Sequence, residues 1–125
     1  MMILERRKKL KRPLVVCLCG STRFMETFHE AARRESLKGK IVLTISDITT
    51  YNKATDPQLF NHGLKKMLDE LHLRKIDIAD EVLILNVGGY IGESTRNELN
   101  YARKLGKVIY YWENNKGEKK QKWQE

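Results

Sequence analysis

Three stretches of the chain carry side chains whose type and spacing suit chemistry. Gly20-Ser21-Thr22-Arg23 joins an apolar run to a helical pattern. Backbone N–H groups, two hydroxyls and the dipole of the following helix favour an anion there. Arg23 adds a guanidinium fork that suits a phosphate or a carboxylate. The plain alternative is an ordinary N-cap followed by a surface arginine. The second stretch is Asn86-Val87-Gly88-Gly89-Tyr90-Ile91-Gly92-Glu93-Ser94-Thr95. Its three glycines let backbone approach a ligand closely. The Gly20–Arg23 loop is neither a Walker phosphate loop nor a Gly-x-Gly-x-x-Gly dinucleotide fingerprint. The third feature is Glu98, expected in the first turn of the next helix and pointing toward the strand ends. Thr95-Arg96-Asn97-Glu98 also fits a capping box, which would give this carboxylate a purely structural role. Glu93 competes with it from the loop.

Other candidates are weaker by spacing. Asp69, His72 and Asp80 fall near the end of the second helix and the start of the third strand, where a general acid could stand. His29, His62 and His72 are scattered and show no zinc-ligand spacing. Cys17 and Cys19 lie two apart on a strand and so share a face. That geometry does not favour a mutual disulfide, and Cys-x-Cys alone makes no zinc site. Both read as small buried thiols. No metal ligand set and no organic cofactor is expected.

The elements that must position these residues alternate between two periods. Leu14 to Cys19 is a continuous apolar run of strand length, as in a strand covered on both faces. Phe24, Phe28, Ala31 and Ala32 then fall at helical spacing through about Lys38, and Gly39 is a C-terminal stop. Ile41–Ile45 reads as a second strand, and 46–56 as a polar loop. Asp56-Pro57 suits a helix start, with Phe60, Leu64, Met67, Leu68 and Leu71 as one apolar face reaching Ile76 or Ala79. Glu81–Asn86 reads as a third strand. Ser94/Thr95 cap a helix reaching Leu105, and Lys107–Trp112 is a fourth strand. The expected fold is a single α/β, flavodoxin- or Rossmann-like three-layer domain with a parallel sheet in order 2-1-3-4. In such a sheet the switch point lies between the first and third strands, where ligands bind outside the carboxyl ends. Both unusual loops fall there.

Charge marks three regions: a basic arm over 1–13, the domain over 14–112 and a polar tail over 113–125. The 125 residues hold 24 Lys+Arg and 16 Asp+Glu, a net +8. Residues 5–12 contribute +5 and the tail +1, so the body is nearly balanced. An arm of this kind can grip nucleic-acid phosphates. Without interleaved aromatics it reads more plainly as a solvated terminus. No apolar run is long enough to span a bilayer, and the run after the arm is too short for an export signal, so a cytoplasmic protein with no membrane partner is expected.

Cys19-Gly20-Ser21-Thr22-Arg23-Phe24, Ala79-Asp80-Glu81-Val82 and Glu98-Leu99-Asn100-Tyr101-Ala102 with Leu105-Gly106-Lys107-Val108 together resemble the nucleoside 2-deoxyribosyltransferase superfamily. The likeness is greatest to its 2'-deoxynucleoside 5'-monophosphate N-glycosidase branch and covers roughly residues 14–112. It implies cleavage or transfer of an N-glycosidic bond through a covalent glycosyl-Glu98 intermediate. Gly20, Ser21, Thr22 and Arg23 would hold the nucleotide. Asn86, Gly88, Gly89, Ser94 and Thr95 would meet sugar hydroxyls or a 5'-phosphate. His72 or Asp80 would serve as acid or orienting group. A homo-oligomer is implied as well. The chain departs from the family where Cys17 replaces a strand-one Tyr and His72 a helix carboxylate. The loop before Glu98 also resembles, more distantly, that of cytokinin-activating phosphoribohydrolases, with Val87 in place of Pro. A nucleotide-binding module without turnover is a further alternative, favoured by the missing Tyr.

Overall fold

The computed structural model describes residues 11–46 and 62–114. It shows one open, parallel four-stranded sheet in the order β2-β1-β3-β4. The strands are β1 (Val15–Cys19), β2 (Ile41–Leu43), β3 (Glu81–Ile84) and β4 (Val108–Tyr111). The helices are α1 (Met25–Leu37), α2 (His62–Ile78) and α3 (Glu93–Lys104). Short 3-10 turns at Thr22–Phe24 and Val87–Gly89 follow β1 and β3. Order, pairing and layering agree with the sequence reading. The expected helix start at Asp56-Pro57, with Phe60 and most of the 46–56 loop, lies outside the described residues.

The register sets Cys17 beside Val82 and Leu43, and Cys19 beside Ile84. Being central, β1 is buried throughout. Its alternation divides the core into two layers. Val16 and Leu18 pack with Phe28, Ala31, Leu83 and Leu85 under α1. Val15, Cys17 and Cys19 face the other way, among Ile76, Ala79, Leu99 and Ala102 of the α2–α3 side. Both cysteines are thus carried into the layer that α2 and α3 cover.

Two sequence expectations change here. The apolar face assigned to the second helix, through Met67 and Leu71, is not its core face. Both are exposed, at 52% and 41%, whereas His72 and Ile76 are buried. The inward stripe is Leu64, Leu68, His72, Ile76 and Ala79, and it includes a histidine that a count of apolar residues skips. The third helix begins at Glu93 with Gly92 as its cap residue. Glu98 therefore lies in the second turn, and no capping box forms over Thr95–Glu98. Gly92 holds the cap position because Tyr90 folds back on it: a Cβ there would sit 2.8 Å from the Tyr90 hydroxyl.

Candidate active site

At the carboxyl end of β1 four chemically active side chains converge from three elements. Cys17 and Cys19 come from β1, His72 from the inward stripe of α2, and Glu98 from α3 beside buried Leu99. His72 Nε2 lies 3.6 Å from Cys17 Sγ and 3.5 Å from Cys19 Sγ. The Glu98 carboxyl neighbours these groups closely enough to feel the charges of His72 and Cys17. The two cysteines have no exposure and His72 4%, whereas Glu98 is half-buried and gives the cluster its contact with solvent.

Electrostatics within the cluster follow from this packing. The Cys19 thiol donates to Cys17 and, with help from His72, holds the Cys17 thiol down to about 6 against the opposing effect of burial. Cys19 moves well above its ordinary value, because it donates that bond and is itself buried. Burial pulls His72 down, but the hydrogen bond and charge of Cys17 and the charge of Glu98 outweigh it, for a net rise. Glu98 is pushed up to about 7, first by burial and then by the Cys17 charge, with His72 opposing. A helix dipole acts within the first turn. From the second turn it does not offset the desolvation of Glu98.

The two loops meet over this cluster's strand ends. The Arg23 guanidinium stacks on the Tyr90 ring at 4.6 Å from its centroid, and Phe24 meets the same ring edge-on at 6.0 Å. Ser21 accepts from the Arg23 N–H at 3.2 Å, which caps the 3-10 turn. Thr22 is exposed beside it. Gly20 is required by packing: a Cβ would lie 3.0 Å from Leu85 Cβ and 3.4 Å from Phe28 Cζ. Gly88 and Gly89 have φ of 62° and 81° with open space where a side chain would project. Ser94 is exposed at the start of α3, and Thr95 is buried at 3%.

Two residues assigned to chemistry by sequence are otherwise engaged. Asn86 is fully buried; its amide donates to the Glu113 carbonyl at 3.0 Å and accepts from the Glu113 N–H at 2.9 Å. It ties β4's exit to β3's end rather than meeting a ligand. Asp80 stands at the opposite, amino end of the sheet. There it accepts from the Val15 N–H at 2.8 Å and pairs with Arg12 at 2.8 and 3.2 Å. It anchors the start of β1 and is remote from the crevice. His72 does join Glu98, through the thiols. Sequence reasoning missed the cysteines as site residues and missed Tyr90 and Glu113 as loop partners. The same-face spacing of Cys17 and Cys19 was the available signal.

No family model matches the chain, and no curated protein matches it. Among the described residues no helix is long and apolar enough to cross a membrane. The arrangement itself offers a carboxyl group raised to about 7 beside an imidazole and a thiol pair, with the Arg23–Tyr90 stack at the same end of the sheet.

Proposed function

We propose that this chain cleaves or transfers the N-glycosidic bond of a nucleoside, a deoxynucleoside or a 5'-monophosphate of either, with Glu98 as nucleophile. The observation that carries this reading is the position of Glu98. It is half-buried at the carboxyl end of β1, with the joined Arg23 and Tyr90 loops at the same sheet end. A carboxyl ionising near 7 is about half anionic at neutral pH. Its carboxylate attacks C1' of the sugar as the C1'–N bond breaks, and the base departs with that electron pair and takes up a proton. Water or a second base then displaces Glu98. Two inversions at C1' give retention. The Arg23 guanidinium suits the anionic end of a nucleotide, whereas the Gly88 N–H donates to the Glu113 carboxylate at 3.1 Å and the Gly89 N–H to the Asn86 carbonyl at 2.8 Å. His72, its Nε2 turned to the thiols, acts as a positioning residue whose charge favours ionised Glu98. The protein is read as cytoplasmic and as a homo-oligomer, which sedimentation at micromolar concentration decides.

Cys17, in place of the family's strand-one Tyr, favours a second reading, a nucleotide-binding module without turnover. One assay separates the two. Purified protein is given nucleosides, deoxynucleosides and their 5'-monophosphates, with and without a free second base, and products are resolved by chromatography. Base release or exchange that falls roughly a thousandfold in Glu98→Gln is expected. Release that survives Glu98→Gln overturns the nucleophile. Ligand-dependent stabilisation without product favours the binding module.

A further inference from the structure

We propose that Cys17, Cys19 and His72 form a three-ligand binding site for a thiophilic divalent cation, Zn2+ first among them. The proposal is independent of the glycosidic reading and goes beyond it. Three donor atoms of the right softness, two sulfurs and one imidazole nitrogen, lie within 4.8 Å of one another, and all three residues are buried. Their spacing matches the edges of a coordination tetrahedron. Zn–S of about 2.3 Å and Zn–N of about 2.0–2.1 Å give an S···N edge of about 3.6 Å. The observed edges are 3.6 and 3.5 Å. One imidazole nitrogen is nearly equidistant from both sulfurs, as a shared metal would require. Three protein ligands leave the fourth tetrahedral position to water.

The scaffold is stiff where the ligands stand. Both cysteines are on the central strand, paired on each side, and His72 is held in the α2 stripe. Site and sheet are thus preformed. Binding forms two S–metal bonds to thiolates, the Cys19 S–H bond is broken, and its proton passes to the buffer. The imidazole contributes a lone pair.

The test uses the full chain, reduced and stripped by a chelator, titrated with Co2+ as the probe. A 1:1 complex with a thiolate-to-cobalt charge-transfer band and intense tetrahedral visible bands is expected, and Zn2+ should bleach both. Cys17→Ser and Cys19→Ser should each remove the charge-transfer intensity of one thiolate, and His72→Gln should weaken binding by more than about tenfold. Bands that survive unchanged in the serine variants overturn the proposal, as does absence of a charge-transfer band in the wild-type chain. Should a variant fail to fold, X-ray absorption of the wild-type chain loaded with Zn2+ decides. Two sulfur and two lighter neighbours are expected, and a shell of nitrogen and oxygen alone overturns the site.

Discussion

Asn86 makes its two bonds to the Glu113 backbone in a place with no solvent exposure. Truncating it leaves a carbonyl and an N–H without those partners, each worth about 1–3 kcal/mol when stranded from water. Asn86→Ala is therefore expected to lose roughly 2–4 kcal/mol in urea unfolding. A loss under about 0.5 kcal/mol would show that water replaces the side chain there. At this scale the sequence is an uneven guide. Glu98 draws attention in the sequence because a carboxylate behind a glycine-rich loop is unusual, and the structure sets it beside His72 and the thiols. Asn86 was misread because residue type at a strand end does not reveal a backbone partner far along the chain. Cys17 and Cys19 read singly as plain buried thiols, and His72 as an acid or orienting group implied by resemblance. Their meeting depends on which face of β1 turns toward α2, and no local spacing contains that.

Gly20 belongs to the junction between β1 and the turn before α1, and it is a packing residue. The Cβ of Gly20→Ala would press on Leu85 Cβ, at 3.0 Å, and on Phe28, both in the α1-side core. Overpacking of this kind costs about 1–3 kcal/mol. A thermal melt of Gly20→Ala should show that loss with no ligand present, whereas a residue held only for ligand approach would leave the unliganded melt unchanged. The elements were the most legible level. Strand runs and helical periods are written in consecutive residues, so each described strand and helix lies where the alternation puts it. Their described edges moved by one to three residues, and for physical reasons. Gly92 caps α3 because Tyr90 packs on it, and the α2 stripe turns because His72 is satisfied by thiols and can be buried.

Across the whole molecule, a charged cluster joins α1, β2's entrance and β3. Lys40 Nζ lies 2.8 Å from both Glu35 and Glu81, all three buried, with Lys38 at 3.1 Å from Glu35. Burial raises Glu35, but Lys40 and Lys38 outweigh it and leave it below its ordinary 4.5. Burial lowers Lys40, but its two carboxylates outweigh that and leave it above 10.5. A lowered carboxyl contributes stability that is complete above 4.5 and is lost as pH falls through its folded value. A raised lysine contributes stability that is complete below 10.5 and is lost as pH climbs through its folded value. The melting temperature should therefore hold between these limits and fall on the acid side below 4.5. Lys40→Met should cost about 3–5 kcal/mol and remove much of that acid-side fall. A wild-type melting temperature that stays flat well below 4.5 would contradict the assignment. The order of the strands was legible from alternation alone; this cluster was not, because Glu35, Lys40 and Glu81 are neighbours only once the sheet has closed.

The central strand has one more consequence. Cys17 and Cys19 are the chain's complement of thiols, and neither is reachable in the folded state. In the metal-free protein an alkylating reagent can modify them only during excursions that expose β1. Where reclosing outpaces alkylation, the labelling rate measures the free energy of that opening. The molecule thus carries a built-in gauge of its innermost motion, readable by mass with no introduced probe.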